Sequence, residues 1–181
     1  LGLRIALIQQ HTPDLLRDVS TTHELASFSA GQLNSWSDSK ILRHNGISVT
    51  NGVNFDALFK MLSLKRFDFF PRSVAEVTAD LARHKHLPIA IDKHLIIYYP
   101  NVMYFFVNKQ NKPLHDEILN GLEKSIADGS FNRLFLSFHQ QDIEKLQLRN
   151  RNIVHLNNPL LPNNTPFARP ELWLNIIDIS K

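Results

Sequence analysis

Between residues 31 and 76 the chain alternates short apolar runs with amphipathic stretches, and this alternation restricts its fold more than any other feature. Ile47–Thr50 and Phe67–Phe70 have the length and composition of buried strands. Between them Asn54 is a suitable helix N-cap, and the helix that follows has an apolar face made of Phe55, Leu58, Phe59 and Leu62. Strands that alternate with helices in this way predict right-handed βαβ units and a parallel sheet.

The same pattern continues on both sides of this stretch. Three further strands are predicted, at Arg4–Gln9, Ser27–Ala30 and Leu87–Ile91. Capping residues predict further helices at Thr21–Glu24, at Ser37–Asn45 and from Ser73–Glu76 onward. Pro71 is predicted to end the strand before it. Residues 14–92 are therefore interpreted as one compact βα unit.

Polar or aromatic side chains occupy the turns that follow two of the predicted strands. They are Asn34, Ser35, Trp36 and Ser37 in one turn, and Arg72 and Ser73 in the other. The carboxyl ends of parallel strands share one edge of a sheet, where α/β proteins bind ligands. A helix N-terminus favours an anion, and arginine prefers a carboxylate or phosphate. These six residues are the candidate ligand site.

A purely structural interpretation of the same residues stays open. Ser35 or Ser37 would then be an ordinary N-cap, with Trp36 packed on the surface. Ser73 would cap the next helix, and Arg72 would be solvated.

The pattern changes after Asp92. Strands are predicted at His94–Tyr99, Val102–Val107 and Asn152–Leu156, and helices at Pro113–Asp128, Phe131–His139 and Asp142–Leu148. The tail over residues 157–170 is rich in Pro and Asn and is predicted to lie irregularly on the surface.

Composition argues against several classes of protein. The net charge is only +3 and the basic residues are scattered, which is evidence against nucleic-acid binding. There is no Cys, so disulfides and thiolate metal sites are excluded. His84, His86 and His94 do not have the spacing of a known metal site and are interpreted as solvated. Nucleophile elbows, Walker loops and dinucleotide fingerprints are absent, so we do not predict an enzyme.

Four stretches together resemble the type II periplasmic solute-binding proteins. They are GQLNSWSD, ILRHNGISV, LFKMLSLKRFDFFPRSVAEV and LIIYYPNVMYFFVNKQNKPLHDEILNGLEKSIADGSFNRLF. The resemblance covers most of residues 3–139 and implies an α/β fold with a parallel βα lobe inserted into a second lobe. It places the complete lobe at residues 14–92 and a partial one at 1–13 and 93–181. The crossing strands would hinge near Ile8 and Ile91.

The resemblance also implies a function. The chain would capture a small polar ligand, an amino acid or another carboxylate, in the bacterial periplasm and deliver it to the membrane subunits of an ABC importer. No cofactor, metal or nucleic acid is expected. The chain starts without Met or a charged leader, so we expect it to lack its natural start and signal peptide.

Two departures from the family pattern affect this prediction. Family members commonly place an Asp for the ligand ammonium where this chain has Pro71-Arg72-Ser73, and the part of the first lobe that supplies an Arg is not in this sequence. Three alternatives therefore stay open: a ligand-sensing domain of a membrane receptor, an enzyme built on this fold, or a protein that contacts only a partner.

Overall fold

The computed structural model describes residues 2–173 of the 181-residue chain. The strands are β1 (Leu3–Gln9), β2 (Ser29–Leu33), β3 (Ser48–Gly52), β4 (Phe70–Ser73), β5 (Ile89–Ile91), β6 (Leu95–Tyr98) and β7 (Asn152–His155). The α-helices are α1 (Thr22–Leu25), α2 (Ser37–His44), α3 (Phe55–Ser63), α4 (Val77–Arg83), α5 (Lys112–Ala127) and α6 (Ser130–Lys145). Short 3-10 helices lie at Leu148–Asn150 and Pro170–Leu172.

Strand β1 is the centre of the main sheet. Its Leu7 pairs with Phe70 of β4 and with Ile91 of β5, so β1 has neighbours on both sides. β6 pairs with the start of β1 beside β5, and β7 runs parallel to β6. All seven residues of β1 are buried, as expected for a strand covered on both faces.

Strands β2 and β3 form a separate two-stranded parallel sheet. They pair in parallel from Ser29–Ser48 to Leu33–Gly52, and a parallel bridge between Ala30 and Phe69 connects β2 to the chain just before β4. The predicted parallel pairing is thus found for β2, β3 and Phe69 just before β4, whereas β4 and β5 pair antiparallel with β1. The sheet as a whole is mixed, because β1 runs antiparallel to β4, β5 and β6.

Each face of the sheet carries its own apolar cluster, because side chains alternate along β1. Leu3, Ile5 and Leu7 contribute to the first cluster, with residues of α3 and α4. Ala6 and Ile8 contribute to the second cluster, with residues of α2. The C-terminal end of α6 and the residues after it also contribute to the first cluster, through Ile143, Leu146 and Leu148.

The compact unit is therefore larger than residues 14–92. Strands β1, β6 and β7 lie outside that range and still join its sheet and its core. The two predicted hinge positions also lie inside the sheet, since Ile8 is fully buried opposite Ala90, and Ile91 pairs with Leu7. The division into lobes stays a prediction, and the hinge has to be sought elsewhere.

The predicted strand at Val102–Val107 is wrong. This segment has no regular structure, and Met103 and Phe106 are 95% and 91% exposed. A strand needs a neighbour for its backbone groups, and within residues 2–173 none pairs with this segment.

Three smaller predictions also change. β4 continues through Pro71, where it pairs with β1 on one side only and the missing N–H is tolerated. β2 extends past Ala30 to Leu33, and one helix, α6, replaces the two predicted between residues 131 and 148. Helices α5 and α6 pack against each other but leave large apolar side chains exposed: Leu114, Leu119, Phe131, Leu134 and Phe138. None of the described helices is long and apolar enough to cross a bilayer.

Candidate functional site

The two candidate stretches meet at a contact between Trp36 and Arg72. The guanidinium carbon of Arg72 lies 5.3 Å from the centre of the Trp36 ring, within the range of a cation–π interaction. Trp36 precedes the first residue of α2, and Arg72 lies near the end of β4. The structure therefore brings together two turns that are 36 residues apart in sequence, counted from 36 to 72.

Arg72 is held by carboxylates as well as by aromatic rings. Its Nε donates to Asp80 Oδ2 at 2.7 Å, and its Nη2 donates to Glu76 Oε2 at 2.8 Å. Asp80 is fully buried, whereas the Glu76 side chain is 53% exposed. The third nitrogen, Nη1, has no hydrogen-bond partner within residues 2–173. The prediction that Arg72 is simply solvated is wrong, because only 12% of its side chain is exposed.

The start of α2 is open. Asn34, Ser35 and Ser37 are exposed, and the N-cap residue Trp36 makes no side-chain cap hydrogen bond. Neither serine caps the helix, contrary to the structural interpretation. Asn34 Oδ1 instead accepts a hydrogen bond from Asn51 Nδ2 at 3.2 Å, which ties this turn to the end of β3. An uncapped helix start leaves backbone N–H groups for an anion.

Ser73 does not form the predicted capping box. Its Oγ accepts a hydrogen bond from the Ala75 amide at 3.3 Å, and α4 begins only at Val77. The partner that the box requires, Glu76, binds Arg72 instead. The ion pair has replaced the cap, because Glu76 is four residues from Arg72 and reaches its guanidinium.

A buried ion pair behind α2 was missed by the sequence reasoning. Arg4 Nε donates to Asp38 Oδ1 at 2.9 Å, and the Tyr99 hydroxyl donates to the same oxygen. The guanidinium of Arg4 also lies 5.0 Å from the Tyr99 ring centre. The one signal in the sequence was the charged Arg4 at the start of the apolar run RIALIQ. Because a buried charge requires a partner, an acidic residue near Arg4 could have been expected.

This pair controls the protonation of Asp38. Burial by itself would raise the pKa of the Asp38 carboxyl, but the charge of Arg4 and the hydrogen bonds from Tyr99 and Arg4 lower the pKa below its ordinary value. Burial raises the pKa of the Tyr99 phenol far above its ordinary value, so this hydroxyl stays a donor. The first turn of α2 is thus attached to β1 and to the residue after β6.

His84 is buried, and its interpretation as a solvated residue is wrong. Its ring stacks on Phe59 with centroids 3.6 Å apart, and its Nδ1 lies 2.9 Å from the Asp80 carbonyl oxygen. His86 is exposed and His94 is partly exposed. Over residues 2–173 no group of three or more His, Asp or Glu side chains is arranged to hold a metal ion.

Comparisons with known proteins identify the fold. No protein-family model matches the sequence, and no curated protein matches it either. Among solved structures, an ancestral arginine-binding protein bound to arginine is 17% identical with a TM-score of 0.52, over 75% of this chain and 59% of its own. A Bacillus subtilis protein is 17% identical with a TM-score of 0.51, over 85% and 62%. The GluR0 ligand-binding core, in complex with L-glutamate, is 18% identical with a TM-score of 0.52, over 73% and 58%.

These identities are low, so the matches establish the fold and leave the ligand open. The chain spans about 60% of the length of the structures it matches, the three values being 59%, 62% and 58%. The resemblance noted in the sequence is confirmed at this level. The chain has the α/β fold of the type II periplasmic solute-binding proteins.

Proposed function

We propose that the protein is a periplasmic solute-binding protein that captures an amino acid or another small carboxylate for an ABC importer. The ligand would lie at the rim formed by Asn34–Ser37 and Arg72–Ser73. The observation that carries this proposal is the contact between Trp36 and Arg72, which places an open helix start beside a cation. The protein would bind its ligand without chemical conversion and without a cofactor.

The chemistry of the rim favours an anion over a cation. Backbone N–H groups at the start of α2 and the hydroxyl of Ser35 are donors, and the Ser37 hydroxyl, which donates to Asp38 Oδ2 at a long 3.4 Å, could turn to a ligand. Arg72 adds a guanidinium with Nη1 unpaired among the described residues. Because Glu76 and Asp80 already contact its other nitrogens, we expect it to orient a ligand carboxylate more than to supply net positive charge.

A lobe movement belongs to the same proposal. We place the crossing between lobes at Gly2 and Tyr99, where the Tyr99 amide donates to the Gly2 carbonyl at 3.1 Å. A β-carbon at Gly2 would lie 2.2 Å from the Tyr99 carbonyl oxygen, so this close approach requires glycine. Residues 100–142, which include α5 and most of α6, would belong to the other lobe and close over the rim, whereas the chain from Ile143 to Leu156 returns to the main sheet and its core.

The proposal is tested by a thermal-shift screen of amino acids and small carboxylates. A true ligand at 100 times its Kd stabilises a protein by about 2.7 kcal/mol, which is readily seen as a higher Tm. A screen in which no carboxylate raises the Tm contradicts the proposal.

The rim is tested with Ser35→Ala and the matched control Ser63→Ala. Ser63 is the half-buried last residue of α3, and its hydroxyl donates to the Lys60 carbonyl oxygen at 2.8 Å instead of contributing to the rim. Losing a hydrogen bond to a charged ligand costs about 1.5–3 kcal/mol, so Ser35→Ala should weaken the best carboxylate about tenfold or more, measured by calorimetry. Equal affinities of the two variants would remove Ser35 from the site.

The likeness to the GluR0 ligand-binding core supports a second candidate function, that of a ligand-sensing module of a membrane protein. It uses the same rim and the same ligand class. A membrane-spanning segment encoded beside this region in the gene would favour sensing, whereas co-purification with importer membrane subunits would favour transport.

A further inference from the structure

The surroundings of Arg72 form a unit that we call the guanidinium cage, made of Trp36, Phe55, Phe70, Glu76 and Asp80. We propose that this cage is a binding site for a guanidinium group and that the chain's own Arg72 occupies it. Because Arg72 occupies the cage, cationic ligands are excluded from the rim. The exclusion rests on the proposed function. The guanidinium site itself does not.

The first argument is the aromatic enclosure. The guanidinium carbon of Arg72 lies 5.3 Å from the ring centre of Trp36, 4.9 Å from that of Phe55 and 5.4 Å from that of Phe70. Each distance is within the cation–π range of about 6 Å. Three rings around one guanidinium are more than a surface arginine needs, and they match how proteins enclose a bound cation.

The second argument is the pair of carboxylates. Nε and Nη2 of Arg72 each have their own acceptor, on Asp80 and Glu76 at 2.7 Å and 2.8 Å. Directed contacts to two nitrogens recognise the planar guanidinium fork, which an ammonium cannot reproduce. Asp80 is fully buried, so without Arg72 its charge would lack a major partner and would attract another cation.

The third argument is competition. The cage borders the start of α2, because Trp36 is both one of its walls and the N-cap of that helix. A cationic ligand at this place would have to displace Arg72, whose attachment to β4 gives it an effective concentration on the order of millimolar or more. An anionic or neutral group meets no such competitor. The cage therefore sets the charge of the ligand that the rim accepts.

The test is chemical rescue of Arg72→Ala with methylguanidinium, followed by thermal unfolding. We expect millimolar methylguanidinium to raise the Tm of this variant by about 3 °C or more, and to leave the wild-type Tm unchanged. Methylammonium at the same concentration should have less than half this effect on the variant. Equal responses to the two cations, or none to either, would overturn the site.

Arg83→Ala is the matched control. Arg83 also donates to Asp80, but its side chain is 64% exposed and it contacts none of the three rings. This variant should not respond to methylguanidinium, and a response equal to that of Arg72→Ala would show simple charge neutralisation of Asp80, against the cage.

Two further measurements keep the proposal falsifiable. If Arg72→Ala does not fold in buffer, refolding with methylguanidinium should recover soluble protein, and failure to recover it at any concentration counts against the cage. Agmatine, which has the guanidinium of arginine but no carboxylate, should not raise the Tm of the wild-type protein, and a rise would contradict the exclusion of cations. Carboxylate binding by the wild type is measured separately, so the proposed function and the cage can fail independently.

Discussion

Arg4 and Arg72 lie on neighbouring strands and hold the start of α2 from opposite faces of the sheet. Arg4 pairs in register with Ser73, and Ile5 with Arg72, so their side chains point to different faces. Arg4 holds the helix through Asp38, and Arg72 holds it through the ring of Trp36. Both guanidinium groups contact an aromatic ring and a carboxylate.

The two arginines differ in where their acidic partners come from. Asp38, an acidic partner of Arg4, belongs to α2 itself and has a side chain 16% exposed. Arg72 has two acidic partners, one buried and one exposed, from the segment that includes α4. The difference indicates that the Arg4 side is a structural attachment of the helix, whereas the Arg72 side can rearrange when a ligand arrives.

The largest expected effect is on the Arg4 side. Asp38→Ala breaks a largely buried ion pair with Arg4 and should lower the free energy of unfolding by about 3–5 kcal/mol, measured in urea. Asp18→Ala is the control, because Asp18 is exposed and should change stability by less than about 0.5 kcal/mol. A loss below about 1 kcal/mol for Asp38→Ala would contradict the structural role of the pair.

Acid should remove part of the same stabilisation. Because the pKa of Asp38 is lower in the folded protein than in the unfolded chain, its contribution is fully present above the unfolded value, about 3.9. This stabilisation is lost as the pH falls below that value and through the lower pKa that Asp38 has in the folded protein. We therefore expect Asp38→Asn to lose less stability than the wild type between neutral and strongly acid pH. Parallel curves for the two proteins would contradict this.

On the Arg72 side the two carboxylates should behave unequally. Asp80→Asn alters a fully buried partner and should cost about 2–3 kcal/mol, because Glu76 still neutralises part of the charge of Arg72. Glu76→Gln alters an exposed partner and should cost less than about 1 kcal/mol. The free energies of unfolding of both variants are measured in urea. A larger loss for Glu76→Gln than for Asp80→Asn would contradict the assignment of Asp80 as the more important partner of Arg72.

The Tyr99 hydroxyl should contribute about 1 kcal/mol through its hydrogen bond to Asp38. Tyr99→Phe removes only that donor. Tyr98→Phe is the control next to it, because the Tyr98 hydroxyl has no hydrogen-bond partner in the part of the chain that the structure describes. If the two variants were equally stable, the hydrogen bond would not help to hold α2.

The smallest expected changes in stability compare α3, whose N-terminus is capped, with α2, whose N-terminus is not. Asn54 caps α3 through a 2.8 Å hydrogen bond from the Ala57 amide, so Asn54→Ala should cost about 1 kcal/mol. Ser37→Ala at the start of α2 should cost less than about 0.5 kcal/mol, because no cap is lost. A similar loss in both variants would show that α2 is capped in solution and not open to a ligand.

The sequence predicted local features well wherever one segment determines them. The Asn54 cap, the Thr21–Glu24 capping box and the apolar face of α3 are all present, because each depends on residues within one or two turns. The left-handed glycines Gly46 and Gly129 follow the C-caps of α2 and α5, which is another local feature of the sequence.

Features that depend on distant segments were the ones predicted incorrectly. Val102–Val107 has strand composition but no neighbouring strand in the described residues. Glu76 suits a capping box but pairs with Arg72, and His84 suits a solvated helix end but stacks on Phe59. Within the site, the sequence predicted that Trp36 and Arg72 lie at the same edge. It did not predict the carboxylates that bind Arg72, because the spacing of residues does not show which face a side chain occupies.

One measurement tests the central claim most directly: an NMR titration of ¹⁵N-labelled protein with the carboxylate that raises the Tm most. We expect shifts at the amides of Ser35–Ser37 and at the Trp36 indole N–H, and none at the start of α1, whose N-cap Thr21 is already engaged. Shifts that avoid Trp36 and its neighbours while appearing elsewhere would contradict the account, because the open start of α2 would then not be the binding site.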